Sequence, residues 1–362
     1  MKLPKLSSNF DLYLLVVPIL LAAGSIATLY SITSVSGKTY LATDQIMYFA
    51  IGFAAYFVAT AFDYRRLKPY SFYLFLFGLA GLVAVEFFGQ KVFGSQRWIN
   101  LGFTQYQPSD VMKLFFLLFA AAFFSERKMT IQTIILYVIF ATVPMVLVFL
   151  QPDLGTTLTL VAIAAAVFIA ARPPRKVIFS VIIAAIVAAP IGWMTLKPYQ
   201  RERLTTFLNP SSDPLKSGYN VTQSKIAVGS GGLRGKGLGN TTQSQLQFIP
   251  VVHVDFIFSA WAEATGFIGS CTMVLAFLVL IWKTFVTAAR SQDNFGALFC
   301  FGGAGMILFQ AYVNIAMNIG LAPVTGIPLP LVSYGGTSIL TTMLILGIVQ
   351  SVHLRQRSLK FD

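Results

Sequence analysis

Residues 196–263 read LKPYQRERLTTFLNPSSDPLKSGYNVTQSKIAVGSGGLRGKGLGNTTQSQLQFIPVVHVDFIFSAWAE, and they form the only long polar segment in the chain. The segment opens with an Arg-Glu-Arg triplet at 201–203, contains a glycine cluster at 229–239, and closes with Asp255 and Glu263. Apolar runs make up the sequence on both sides of it. This pattern predicts a membrane scaffold that holds one long polar loop in place.

The composition excludes an ordinary soluble protein. Hydrophobic residues make up 56% of the chain, charged residues make up 11%, and the mean hydropathy is +0.74. Soluble domains carry about 25% charged residues, and many runs here exceed the roughly 18 apolar residues that indicate a transmembrane helix. We therefore expect an all-α polytopic membrane protein, with residues 1–362 as a single integral membrane domain.

About ten transmembrane helices are predicted, with one large loop, residues 196–257, between spans seven and eight. The predicted spans are 10–31, 44–62, 70–88, 109–124, 132–151, 155–171, 177–195, 258–282, 295–317 and 334–352.

Lys and Arg residues are divided unevenly between the loops. Fifteen lie in the termini and loops on one predicted side, and only Lys38, Lys91 and Arg97 lie in the short loops on the other. Because basic residues accumulate in short cytoplasmic loops, both termini are predicted to be cytoplasmic and residues 196–257 extracytoplasmic. This distribution explains the net charge of +13 by orientation in a membrane, expected to be the cytoplasmic (inner) membrane. No nucleic-acid partner is therefore expected.

Two carboxylates lie where the polar segment meets span eight. Asp255 is flanked by Val254, Phe256 and Ile257, and desolvating a carboxylate is costly, so a functional role is one interpretation. The other is a helix N-terminal acid that the helix dipole favours, and position alone does not decide between them. Glu263 lies eight residues further on, a rise of about 12 Å on one helix, which is too far for a shared-proton pair. It either has a separate role, with substrate binding as the candidate, or pairs with a cation from another span, which is the favoured interpretation.

Two further candidates lie at the outer ends of spans four and six. Ser109 is a predicted N-cap and Asp110 a first-turn acid. Lys113 follows one turn later; it either contacts a substrate phosphate or snorkels and pairs with Asp110. Asp153 lies in a tight turn, where capping of the next helix is the alternative to a substrate role.

The polar segment itself supplies cations and glycines. Arg201 and Arg203 follow a span closely, where guanidinium groups match phosphate oxygens or anchor to lipid headgroups. The glycine cluster fails the Walker pattern, which leaves an anion-binding nest with Arg234 and Lys236 or, more simply, a flexible bend. Apolar residues at 219–228 predict a short amphipathic helix at the interface.

Several motifs, in this order, resemble those of the SEDS family (shape, elongation, division and sporulation proteins). They are Phe93-Gly-Ser-Gln-Arg-Trp-Ile, Gln107-Pro-Ser-Asp-Val-Met-Lys113, Gln151-Pro-Asp-Leu-Gly-Thr, Arg201-Glu-Arg-Leu, Gly218-Tyr-Asn-Val-Thr-Gln-Ser, Gly231-Gly-Leu-Arg-Gly-Lys-Gly-Leu-Gly, His253-Val-Asp-Phe-Ile-Phe with Glu263, and Gly326-Ile-Pro-Leu-Pro-Leu-Val-Ser-Tyr-Gly-Gly-Thr-Ser. The resemblance covers nearly the whole chain. Short termini and the Phe207-Leu-Asn-Pro context are closer to the elongation (RodA) branch, and Asp110 stands where the family often has Glu.

The resemblance implies a peptidoglycan glycosyltransferase that polymerises lipid II, a disaccharide-pentapeptide on undecaprenyl pyrophosphate, during elongation and rod-shape maintenance. It implies a class B penicillin-binding protein as partner and makes Asp255 the match of the family's essential aspartate. Asp255 then serves as general base for the acceptor hydroxyl or as ligand of a divalent cation, Mg or Mn; the sequence leaves both open. Cations such as Lys113, Arg201 and Arg203 would stabilise the leaving pyrophosphate.

Two other functions compete with polymerisation. A lipid II flippase needs polar groups through the membrane depth, whereas the ionisable residues here cluster on the outer side. A noncatalytic scaffold for a penicillin-binding protein would make no glycan by itself. No ATP is available on the outer face, so chemistry there requires an activated substrate, which a pyrophosphate-linked sugar provides.

Overall fold

The computed structural model describes residues 10–34, 37, 39–92, 95–100, 105–195, 198–208, 217–246, 248–249 and 251–356. Ten helices of at least 17 residues form a bundle within these ranges. They are α1 Tyr13–Ser34, α2 Tyr40–Ala61, α3 Ser71–Phe88, α4 Pro108–Glu126, α5 Ile131–Leu150, α6 Leu154–Ala170, α7 Arg175–Thr195, α11 Ile257–Ala289, α12 Asn294–Asn318 and α13 Gly336–Leu354. Three shorter helices lie between α7 and α11: α8 Pro198–Leu208, α9 Ser217–Ser230 and α10 Thr242–Gln245.

These ten helices correspond one to one with the ten predicted spans, and most boundaries agree within three or four residues. Eight of them are long and apolar enough to cross a membrane, and α6 is a shorter apolar helix of 17 residues. The all-α, integral membrane character predicted from the sequence is therefore confirmed.

The two ends of the bundle differ in what they hold. At one end, the terminal end, α1 begins and α13 ends, and ion pairs join the loops: Lys283 Nζ lies 3.1 Å from Asp11, and Arg65 Nε lies 3.2 Å from Asp293. The opposite end, the loop end, carries the polar helices α8–α10. Burial also differs among helices, since α4, α12 and α13 are mostly buried, whereas α3 and α5 expose apolar side chains around the outside.

A small antiparallel sheet at the loop end was not predicted. Its strands are β1 Gln90–Val92, β2 Ser95–Asn100 and β3 Gln105–Tyr106, in that order. The sequence analysis treated this region as an extracytoplasmic loop, because the strands are too short to show a two-residue period. The sheet matters because β2 positions Arg97.

The predicted short helix is confirmed as α9, but its packed face differs from the predicted one. Val221, Ser224 and Ala227 are buried against the bundle, whereas Ile226 is 44% exposed. Ser224 Oγ donates to the carbonyl of Asn318 at 2.8 Å. Small and polar side chains of α9 therefore pack against the bundle. For this reason the apolar pattern at 219–228 could not identify the buried face of the helix.

Helix α11 is interrupted at Gly266, whose φ of 69° and ψ of −162° are not helical. The glycine cluster closes the break with backbone hydrogen bonds from Lys236 to Glu263 (3.0 Å), from Gly237 to Ala264 (2.9 Å), from Phe267 to Gly232 (2.8 Å) and from Ile268 to Leu233 (3.2 Å). A Cβ atom at Gly235 would lie 2.2 Å from the Ala264 carbonyl oxygen. Close packing therefore requires Gly231 and Gly235, and α11 accepts the amides of Lys236 and Gly237, so this part of the cluster is a packed connection to α11, which favours neither the flexible bend nor the anion nest.

Candidate functional site

Asp255 lies in the turn that precedes α11, and two asparagines of α12 hold its backbone. Asn314 Nδ2 and Asn318 Nδ2 each donate to the Asp255 carbonyl oxygen at 3.1 Å. Asn318 Oδ1 also accepts the Ser259 amide at 3.0 Å, which ties the same asparagine to the start of α11. These asparagines lie four residues apart on one helix face, as the helical period requires, and the sequence analysis did not single them out.

The loop between α12 and α13 forms the opposite wall of the turn. Asn314 Nδ2 donates to the Ile327 carbonyl at 2.8 Å, and Ser333 Oγ donates to the Val254 carbonyl at 2.5 Å. Gly326 has a φ of 74°, a backbone conformation that favours glycine. A Cβ atom there would lie 3.7 Å from Arg203 Nη1 and 4.0 Å from Asp255 Oδ2, so the guanidinium and the carboxylate approach each other beside this glycine.

Arg203 and Arg201 point to different places although both lie on α8. Arg201 Nη2 donates to the Met194 carbonyl at 2.7 Å, at the end of α7. Arg203 reaches the Gly326 loop beside Asp255. Of these two arginines, only Arg203 is therefore part of the Asp255 site.

Arg97 is a site residue to which the sequence gave no role, although it is one of the loop charges and lies in the motif at 93–99. Its Nε donates to the Gln151 carbonyl at 3.0 Å, its Nη2 donates to the Pro152 carbonyl, and its Nη1 lies 3.8 Å from Asp153 Oδ1. The available signal was a lone arginine in a loop that is otherwise poor in cations.

Both carboxylate oxygens of Asp153 accept hydrogen bonds from neighbouring residues. Its Oδ1 accepts the Thr156 amide at 3.0 Å and its Oδ2 accepts the Thr156 hydroxyl at 2.9 Å, so it caps α6. Gln107 Nε2 donates to Asp153 Oδ2 at 3.1 Å and to Ser109 Oγ at 3.0 Å. The capping alternative for Asp153 is confirmed, and the carboxylate also contributes negative charge near Asp255.

The start of α4 differs slightly from the prediction. Gln107, not Ser109, is the N-cap, and Pro108 begins the helix, as its fixed φ and missing amide allow. Asp110 and Lys113 form a buried ion pair of 2.6 Å, and Thr337 Oγ1 donates to Asp110 Oδ2 at 3.2 Å. Lys113 is only 3% exposed, so pairing with Asp110 is the alternative that the geometry supports.

Glu263 is fully buried, and both of its carboxylate oxygens accept hydrogen bonds. Its Oε1 accepts the Lys236 ammonium at 2.9 Å and the amides of Thr242 and Gln243 at 2.9 and 3.0 Å. Its Oε2 accepts the Ser244 amide at 3.1 Å and hydroxyl at 2.7 Å. The predicted partner was a cation from another span, which is wrong, because Lys236 belongs to the polar segment. These contacts show that the carboxylate anchors α10, so the geometry supports a structural role, and the substrate-binding role stays a prediction without support from them.

The electrostatics single out Asp255. Desolvation raises the pKa of its carboxyl to about 6, the cations Arg203 and Arg97 oppose that shift, and Asp153 adds to it. In the described part of the chain, the Asp255 carboxylate makes no hydrogen bond and no ion pair. A partly buried, unpaired carboxylate that titrates near neutral pH has the properties of a general base.

A divalent cation held by Asp255 would take most of its ligands from the substrate or from water. Within the described ranges, no group of three or more His, Cys, Asp or Glu side chains is arranged to hold one. Asp153, whose negative charge raises the pKa of Asp255, already accepts hydrogen bonds from Thr156 and Gln107.

Comparisons with known proteins agree with this geometry. A family model described as cell cycle protein, FTSW_RODA_SPOVE, matches residues 8–358. Peptidoglycan glycosyltransferase MrdB of Escherichia coli (strain K12) is 39% identical over 317 residues, which cover 86% of this chain and 85% of that protein. Stage V sporulation protein E of Bacillus subtilis (strain 168) is 33% identical over 94% of this chain and 96% of its own length.

Two solved structures share the fold over almost the whole chain. One, from a study titled "Structural coordination of polymerization and crosslinking by a peptidoglycan synthase complex", has a TM-score of 0.81 and 29% identity, covering 96% of this chain and 98% of its own. The Thermus thermophilus rod shape determining protein RodA has a TM-score of 0.73 and 26% identity, covering 97% and 99%. The motifs, the ten-helix bundle and these matches converge: the chain belongs to the FtsW, RodA and SpoVE family of cell cycle proteins.

Proposed function

We propose that this chain polymerises lipid II into glycan strands on the extracytoplasmic face of the cytoplasmic membrane, with Asp255 as the general base. The chain is a peptidoglycan glycosyltransferase, like the relatives named for that activity. Its substrate, its active face and its catalytic residue are the proposed parts.

The observation that carries the proposal is the contrast between Asp255 and its surroundings. Asp110, Asp153 and Glu263 all hold close partners, whereas the Asp255 carboxylate has none within the described residues. An unpaired carboxylate that is costly to desolvate indicates a chemical role. Its pKa of about 6 leaves it mostly ionised at neutral pH and able to accept a proton.

The reaction follows from where the charges lie. The Asp255 carboxylate takes the proton of the acceptor sugar hydroxyl while that oxygen forms a bond to the anomeric carbon of the donor. The bond from the anomeric carbon to the pyrophosphate breaks, undecaprenyl pyrophosphate leaves with the electron pair, and the configuration is inverted.

Charge on the leaving group requires a cation at the same place. Arg203 lies beside Gly326 and Asp255, and its guanidinium is suited to phosphate oxygens. Arg97 is bonded to the carbonyls of the Gln151–Asp153 turn, so it contributes positive field rather than direct contact. The proposed reaction uses no metal ion; a divalent cation held by Asp255 and the substrate phosphates is the alternative, and a dependence of the rate on Mg or Mn would support it.

A penicillin-binding partner is part of the proposal. The structural relative with a TM-score of 0.81 comes from a peptidoglycan synthase complex that couples polymerisation to crosslinking. A class B penicillin-binding protein would supply the crosslinking step that glycan synthesis needs nearby.

A polymerisation assay tests the proposal. Purified chain in complex with its partner is given lipid II, and glycan length and rate are measured. Asp255→Asn keeps the shape and removes the base, so the rate is expected to fall about 10²–10⁴-fold. The matched control is Glu86→Gln, an exposed carboxylate at the same end of the bundle, which is expected to keep the wild-type rate.

The competing functions give different results in the same system. A flippase would move labelled lipid II across vesicle membranes without making glycan, and a scaffold would make no glycan when the partner has no transferase of its own. A near wild-type rate for folded, partner-bound Asp255→Asn protein contradicts the assignment of the base.

A further inference from the structure

A second cluster of polar and aromatic side chains lies beside the Asp255 turn. It comprises Asp44 and Tyr48 of α2, His253 of the turn, and Tyr334 of the loop before α13. Tyr334 Oη donates to Asp44 Oδ2 at 3.3 Å. The Tyr334 ring lies 5.9 Å from the Tyr48 ring and 5.8 Å from the His253 ring, with tilts of 57° and 73°.

The cluster is fixed to the turn that carries Asp255. The Tyr334 amide donates to the His253 carbonyl at 2.9 Å, and the neighbouring Ser333 Oγ donates to the Val254 carbonyl at 2.5 Å. Because these bonds involve residues one and two positions from Asp255, the cluster keeps a constant place relative to the base.

Ordinary core packing does not account for this cluster. On the same helix, Phe49 is 3% exposed and Tyr56 is 0% exposed, as expected of core residues. Tyr48 and Asp44 are only half-buried, as are His253 and Tyr334. The two tyrosines, the carboxylate and the imidazole are therefore partly accessible at the loop end of the bundle.

We propose that these four residues, the tyrosine shelf (Asp44, Tyr48, His253 and Tyr334), bind the pyranose ring of the acceptor sugar. A sugar ring is neutral, has an apolar face of C–H groups, and has hydroxyls at its edge. Aromatic rings offer a flat apolar surface with a polar tip, and a carboxylate or imidazole accepts hydrogen bonds from hydroxyls. A few polar groups among aromatic side chains are typical of such sites.

Charge explains why the shelf takes the acceptor rather than the donor pyrophosphate. The negative Asp44 repels phosphate, whereas Arg203 and Arg97, the cations that act on Asp255, attract it. The acceptor must present its hydroxyl to Asp255, and a shelf that shares the Asp255 turn can do so. The identity of the sugar rests on the proposed function, but the chemistry of the shelf does not.

Direct binding of a lipid-free glycan tests the shelf. The full-length protein, in detergent and carrying Asp255→Asn, is titrated with a short peptidoglycan oligosaccharide that lacks lipid and pyrophosphate, with calorimetry or ligand-observed NMR as the readout. Tyr48→Leu and Asp44→Asn are expected to weaken binding about three- to tenfold, the range of one or two lost aromatic or hydrogen-bond contacts. Tyr334→Phe removes only the hydroxyl, so it still tests the shelf if a larger substitution prevents folding.

The matched control is Tyr40→Leu, a tyrosine at the start of the same helix that is 56% exposed; it is expected to leave the affinity unchanged. Equal affinity in all the shelf variants and the control, or no binding to the parent protein, overturns the proposal. Because the assay measures no turnover and Asp255 is already replaced, either result leaves the assignment of the base intact. Conversely, weakened binding in the shelf variants supports the shelf even if Asp255 proves not to be the base.

Discussion

Asp255 and Glu263 lie eight residues apart in the same stretch, yet their surroundings are opposite. Glu263 is completely buried, and an ammonium, three amides and two hydroxyls surround its two oxygens. Asp255 is partly accessible, and cations affect it through space without bonding it. The comparison teaches that saturation with partners distinguishes a carboxylate that holds the fold from one that is free to do chemistry.

The largest expected effect on stability comes from Glu263. Glu263→Ala leaves Lys236 and the first amides of α10 without their acceptor, and breaking such a buried pair costs about 3–5 kcal/mol. We expect a strong loss of folded protein, measured as the thermal unfolding of the purified membrane protein. A milder Glu263→Gln change is expected to lower stability less and to keep turnover per folded molecule close to wild type.

The comparison fails if Glu263 proves to be needed for turnover and not for stability. Normal stability in Glu263→Ala, together with lost turnover, would place Glu263 in the chemistry and contradict the structural role assigned to it here.

A smaller effect is expected from the asparagines that hold Asp255. Asn314→Leu removes the donor to the carbonyls of Asp255 and Ile327, and each lost hydrogen bond is worth about 0.5–1.5 kcal/mol. We expect kcat to fall about tenfold with a smaller change in KM, because the base is displaced while substrate contacts remain. Steady-state kinetics on the partner-bound enzyme give this split.

Tyr312→Leu is the control on the same helix, since Tyr312 is 66% exposed. A loss in Asn314→Leu that appears only as a lower folded fraction, with unchanged kcat, would reduce the asparagine to a packing residue.

The sequence predicted the bundle well because each span is a long apolar run, and such runs need no tertiary context to be identified. It could not predict the break at Gly266, since the groups that close it come from residues 232–237, about thirty positions earlier. Nor could it find Arg97 or Asn314, whose roles depend on folding partners distant in sequence. The apolar neighbours of Asp255 made it a candidate, and the family resemblance matched it to the essential aspartate. Only the structure shows that, among the residues it describes, the Asp255 carboxylate lacks the hydrogen-bond partners that surround Glu263.

The smallest predicted effect is the most direct test of the central claim that Asp255 is the base. Asp255 has a pKa raised by burial to about 6 and held down by Arg203. Its ionised form is the active one, so kcat/KM should fall as the pH drops through about 6. Removing the nearby positive charge destabilises that ionised form and raises the pKa further.

The measurement is therefore the pH profile of kcat/KM for the wild type, Arg203→Gln and Arg201→Gln. We predict that Arg203→Gln moves the acid limb to higher pH by roughly half a unit to one unit. Arg201→Gln makes the same charge change on α8, but the Arg201 guanidinium bonds the Met194 carbonyl near the end of α7, so the acid limb of this variant should stay in place. An acid limb that does not move in Arg203→Gln, or that moves equally in both variants, would contradict the account.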